Sequence, residues 1–157
     1  MNRIIFFFCI SICMWGCSST PSSNTEPSKG KANNVGSVYY DVLIKSDKPQ
    51  DDWEQIAIEK LDRKKLIAHL FQQIVDQKFR LEDFYEEKEI SLSTFKQKLQ
   101  SGEIDPDKIT KLQFEEVWET GSVPLNKKIK SIVFAVNSYD HLGKKIGYRP
   151  IFICYYP

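Results

Sequence analysis

Lys128-Ile129-Lys130-Ser131-Ile132-Val133-Phe134-Ala135-Val136 decides the fold, because it is apolar on both faces of a strand. Ile129, Val133 and Ala135 share one face; Ile132, Phe134 and Val136 share the other. A strand buried on both sides belongs in the middle of a sheet. Upstream, from Ile109, Leu112, Phe114 and Trp118 alternate with Lys111, Gln113 and Glu115, the pattern of a half-exposed strand. Gly121 and Pro124 mark the turn between the two. Asp140-His141-Leu142-Gly143 marks the next turn. The chain then returns through Tyr148-Arg149-Pro150-Ile151-Phe152-Ile153-Cys154-Tyr155-Tyr156, which completes an antiparallel meander.

Working outward, the residues before the meander read as helical. Leu66, Leu70 and Ile74 form one i, i+4 row, with Ile67, Phe71 and Val75 beside it and Asp62 as N-cap. A second, shorter helix is predicted over 93–100, capped by Ser91 or Ser93, with Phe95 and Leu99 inward and Gly102 at its end. Val38, Tyr40, Val42 and Ile44 alternate as a strand. Residues 53–59 fit either a short strand or a helix, and the alternation of Ile56 and Ile58 favours the strand. The expected class is α+β: a long amphipathic helix packed on an antiparallel meander, preceded by one or two short strands.

The N-terminus reads as an address. Met1-Asn2-Arg3, an apolar run to Trp15, and Gly16 before Cys17 form a lipoprotein signal, with Cys17 as the lipidated residue. The apolar run falls short of the roughly 20 residues that a spanning helix needs. The domains are then 1–16 as signal peptide, 17–37 as lipidated Cys and flexible tether, and 38–157 as one globular domain. Ser18 and Ser19, with no acidic residue beside Cys17, imply forwarding to the outer membrane, on the periplasmic side. Two or three acyl chains such as palmitate, at about 0.8 kcal/mol per buried methylene, make a lasting anchor.

Charge and chemistry narrow the function. Arg3 is the only charge in residues 1–16, so 22 basic residues become 21 against 21 acidic ones. A neutral chain lacks the clustered cations of a nucleic-acid footprint, and no nucleic-acid partner is expected. Cys9 and Cys13 leave with the signal and Cys17 carries lipid. Cys154 then has no disulfide partner and reads as buried filler. His69 and His141 stand alone in polar surroundings, so no metal site and no cofactor beyond the lipid on Cys17 are expected. The acidic residues Glu82, Asp83, Glu86, Glu87, Glu89, Glu115, Glu116 and Glu119 read as solvated faces. The alternative, a cell-wall hydrolase, requires two of them to converge on a cleft. The chain is not expected to be an enzyme.

The C-terminal residues carry a further signal. Phe114-Glu115-Glu116-Val117-Trp118, the Ile132–Val136 strand, and Gly147-Tyr148-Arg149-Pro150 running to Tyr155-Tyr156-Pro157 resemble the C-terminal part of the gliding-motility and type IX secretion family GldN, also called PorN. Trp53-Glu54-Gln55-Ile56 and Arg63-Lys64-Lys65-Leu66 fit the family's order of elements upstream. The resemblance implies a non-enzymatic structural or assembly component of the secretion or gliding apparatus. Its partner would be an outer-membrane lipoprotein resembling formylglycine-generating enzymes, and the chain would be a homo-oligomer or ring subunit. It also implies that Trp118, Tyr148, Arg149, Pro150, Tyr155 and Tyr156 are signature residues, holding the fold or a partner. The family's usual proteins leave anchoring to the partner, whereas this chain carries its own Cys17. The competing expectation is a free-standing periplasmic lipoprotein that holds a small ligand. Cys17→Ala should move the protein from the membrane pellet to the soluble fraction with its fold intact; retention in the pellet would refute the lipid anchor.

Overall fold

The computed structural model describes residues 33–50, 52–120 and 125–157. The signal, Cys17 and the first part of the expected tether lie outside the described residues, as do Gly121 and Pro124. Five strands form one sheet: β1 (Asn33–Leu43), β2 (Arg80–Asp83), β3 (Ile109–Thr120), β4 (Asn126–Tyr139) and β5 (Lys145–Tyr155). Their spatial order is β1-β3-β4-β5-β2, with every neighbouring pair antiparallel. Three short helices accompany it: α1 (Trp53–Ile58), α2 (Arg63–Val75) and α3 (Leu92–Gln100).

This corrects the expected architecture. Among the described residues the architecture is mostly antiparallel sheet, 43% strand against 26% helix, rather than a long helix laid on a meander. Two strands account for the difference. β1 is a full-length edge strand that begins at Asn33, inside the stretch read as tether, and pairs along β3 as far as Lys111. Its Asn, Gly and Ser residues give no apolar signal. A ladder is made by backbone groups, so a polar segment can still join it. β2 lies in the acidic stretch after α2 and closes the opposite edge against β5.

Within residues 53–59, Trp53–Ile58 is likewise helical rather than extended, with Glu59 as its C-cap. The Asp52 carboxylate accepts the Glu54 amide as an N-cap, and α1 buries none of its residues. The Ile56/Ile58 alternation was therefore not a strand signal, because neither side chain reaches the core. α2 is capped by Asp62, which accepts the Lys65 amide. It closes through Gln77 in the left-handed region (φ 57°), where Lys78 N–H donates to the Gln73 carbonyl. At the last hairpin, Asp140 accepts both Leu142 and Lys144 amides, and Gly143 takes φ 78°.

The core lies between one sheet face and the helices α2 and α3. Leu112, Ile132, Phe134, Phe152, Cys154 and Leu81 come from the strands, and Ile67, Leu70, Phe71, Ile74 and Phe95 from the helices. Phe134 and Phe152 face each other across the β4–β5 ladder and stack at 4.6 Å. Phe71 meets Phe134 edge-on at 5.9 Å, and Phe95 meets Phe152 at 5.7 Å. Offset and edge-to-face pairs of this kind add about 0.5–1.5 kcal/mol each beyond burial. Phe134→Ala should cost about 3–5 kcal/mol in denaturant unfolding, whereas Trp53→Ala on exposed α1 should stay within about 0.5 kcal/mol.

Candidate interaction surface

Alternation sends every second residue of β3, β4 and β5 to the face opposite α2 and α3. Register places Glu115 beside Ser131 and Tyr155, Gln113 beside Val133 and Ile153, and Lys111 beside Ala135 and Pro150. Asn137 pairs with Tyr148 on the same face. The bulge between Phe134 and Ala135, which inserts Ile151 into β5, resets the alternation so that Ile153 and Pro150 share this face; the bulge between Glu115 and Glu116 falls at the end of the row. Tyr148, Pro150, Ile153 and Tyr155 are all partly exposed, so β5 presents an aromatic and aliphatic strip.

Cations hold the strip in place. The Lys111 and Lys145 ammoniums sit 4.5 and 4.6 Å from the Tyr148 ring centre, and Lys145 also donates to Tyr148 Oη at 3.2 Å. Lys111 is tied to Asp41 at 2.5 Å, which holds that carboxyl below the usual carboxylate range. Arg80 of β2 covers the Tyr155 ring at 4.5 Å. Phe84 bends over from the end of β2 and, with Val133, Ala135, Tyr148 and Pro150, lines a cavity of about 190 Å³ on this face.

Glu115 is the buried charge of the strip. Lys130 and Ser131 donate to its two oxygens at 2.8 and 3.0 Å. Burial alone would raise its pKa, but hydrogen bonds from Lys130, Ser131, Tyr39 and Ser37 outweigh that and lower it. Its neighbour Glu116 points to the other face, where it accepts the Trp118 indole N–H at 2.5 Å and pairs with Lys127 at 3.6 Å. Consecutive strand residues cannot converge, so the structure does not bring this carboxylate pair to one cleft. Among the described residues no group of three or more His, Cys, Asp or Glu side chains is placed to hold a metal. His69 meets only Gln73, one helical turn away. Burial pushes the Cys154 thiol far up, which leaves it unreactive.

The signature residues separate into four settings. Tyr148, Pro150 and Tyr155 share the strip, while Arg149 is exposed at the opposite register position beside Val136. Trp118 lies on the helix-side face, with Lys127 over its ring at 4.3 Å. Tyr156 packs edge-on against Phe79 at 4.4 Å, beside an open groove of about 880 Å³ lined by Ile74, Arg80, Leu81, Ile90 and Leu92. Lys111, Phe84 and the Tyr39–Glu115–Lys130 network escaped the sequence reading. The alternation of β3 and β4 could have placed Glu115, but Phe84 reaches the strip only through tertiary folding. No protein family model matches the chain, and no curated protein matches it.

The lowered Glu115 pKa fixes a sign. A carboxyl depressed in the folded state stabilises it above the unfolded pKa of about 4.3, and that contribution is lost as pH falls through the folded value. Glu115→Gln should cost about 1–2 kcal/mol at neutral pH, and its gap to the parent should narrow progressively as pH falls below about 4.3 in paired denaturation curves.

Proposed function

We propose that this chain is an outer-membrane-anchored periplasmic lipoprotein acting as a non-enzymatic structural or assembly component of a type IX secretion or gliding-motility apparatus. The observation that carries the reading is β5. The Gly147-Tyr148-Arg149-Pro150 to Tyr155-Tyr156-Pro157 stretch that resembles GldN is also the strand presenting Tyr148, Pro150, Ile153 and Tyr155 away from the helices. Rings held by Lys111, Lys145 and Arg80 are preorganised, so little side-chain entropy remains to be lost on docking. Tyr and Arg are favoured anchors in protein interfaces. The partner in this reading is a second outer-membrane lipoprotein, resembling formylglycine-generating enzymes, with the lipid on Cys17 holding both at one membrane.

The test is affinity capture of the tagged chain from native envelopes after mild crosslinking, with partners identified by mass spectrometry. The expected result is that lipoprotein, recovered at least fivefold less with Tyr148→Ala/Tyr155→Ala at unchanged fold. Recovery of no envelope protein would refute the assembly role.

A second reading, a free-standing periplasmic ligand-binding lipoprotein, is favoured by one observation. The groove beside Phe79 and Tyr156 has about 880 Å³, within the size range of small-molecule sites.

A further inference from the structure

The two edges of the sheet are treated differently. β2 is only four residues long, and the turn that follows it covers its outer side: Asp83 N–H donates to the Lys88 carbonyl and Ile90 N–H to the Leu81 carbonyl. β1, at the other edge, is eleven residues long and among the described residues has no neighbour beyond it in the sheet order. Its irregularity is confined to Asn34–Gly36, which leaves Ser37–Leu43 in regular register with β3. Proteins usually blunt such an edge with Lys, Pro, a short strand or a bulge. The regular stretch Ser37-Val38-Tyr39-Tyr40-Asp41-Val42-Leu43 has no Lys and no Pro. Its single charge, Asp41, is already paired with Lys111. Val38, Tyr39 and Tyr40 remain 43%, 63% and 38% exposed.

The geometry points to β1 as a self-pairing edge whose occupant is β1 of a second copy of this chain, antiparallel and centred on Tyr40. That register uses the whole regular stretch. Tyr40 lies opposite Tyr40, Val38 opposite Val42, Tyr39 opposite Asp41 and Ser37 opposite Leu43. No like charges meet, which a strand with a second charge in this stretch would not guarantee. A two-fold axis perpendicular to the sheet keeps both helix-covered faces on one side. Tyr40 stacks on Phe114 at 5.5 Å, so pairing extends that apolar surface across the seam. The result is one continuous ten-stranded sheet from two copies. The inference stands on this edge alone and is independent of the address of the chain.

The experiment uses the full chain in detergent with a cysteine placed at the seam. Directly opposed strand residues have Cβ atoms about 4.5–5.5 Å apart, close enough for a disulfide after small adjustment. Tyr40→Cys should give a covalent dimer on mild oxidation at least tenfold faster than Trp53→Cys, a control at a more exposed site on α1. Tyr40→Lys, which sets two ammoniums opposite each other, should make the sedimenting species a single chain at unchanged circular dichroism. For the parent, amide exchange in Ser37–Leu43 should slow as protein concentration rises, a readout that does not depend on any variant folding. Equal crosslinking of the two cysteine variants, or exchange in β1 that is independent of concentration, overturns the proposal. The second outcome would leave the edge to a strand from a different protein.

Discussion

The Phe134–Phe152 stack is the contact on which the rest of the structure depends. It joins the middle strand to β5 at 4.6 Å and supplies the surface that Phe71 and Phe95 meet edge-on. Rings fixed at this point decide which face of the sheet lies beneath α2 and α3. Because strand side chains alternate, the opposite face then receives Glu115, Ile153 and Tyr155, and the extra residue at Ile151 brings Pro150 and Tyr148 to it as well. The strip is thus a consequence of the core, and its two lysine-flanked and arginine-covered rings are secondary refinements of it.

The outer face combines an aromatic strip with charges that are already partnered. Lys111 is satisfied by Asp41, Lys145 by Asp47, and Lys130 by Glu115. Surface pairs of this kind contribute little stability, at most about 1 kcal/mol each. Their effect is on geometry, since they hold long cationic side chains flat against tyrosine rings. The face is therefore rigid and locally neutral. The same economy appears at β1, where the one charge of the regular edge is neutralised inside the molecule.

The sequence made the meander legible because its signals were strong and local. The two-faced apolar run around Phe134 marked a middle strand, and β4 is third of five. Leu112 and Phe114 were placed on the face opposite Lys111, Gln113 and Glu115, where register puts them. The balance of helix and sheet was misjudged for an equally physical reason. α2 has a broad apolar stripe that dominates any reading of periodicity, whereas β1 and β2 owe their places to backbone hydrogen bonds. Asn33, Ser37, Arg80 and Glu82 announce no burial. Residues 53–59 failed differently: Ile56 and Ile58 mimic alternation, but Asp52 caps a helix none of whose residues is buried.

By itself the sequence determined the core strands, the cap at Asp62, the choice of Ser91 or Ser93 for the second helix, and the buried thiol of Cys154. These follow from side-chain polarity and spacing, which act over a few residues. Only the tertiary structure decided that β1 runs the length of β3, that β2 closes the far edge, and that Lys111, Phe84 and Tyr148 meet on one face. Those outcomes depend on strand order and register between segments far apart in the chain. Backbone pairing sets them, and backbone groups are the same in every residue but proline.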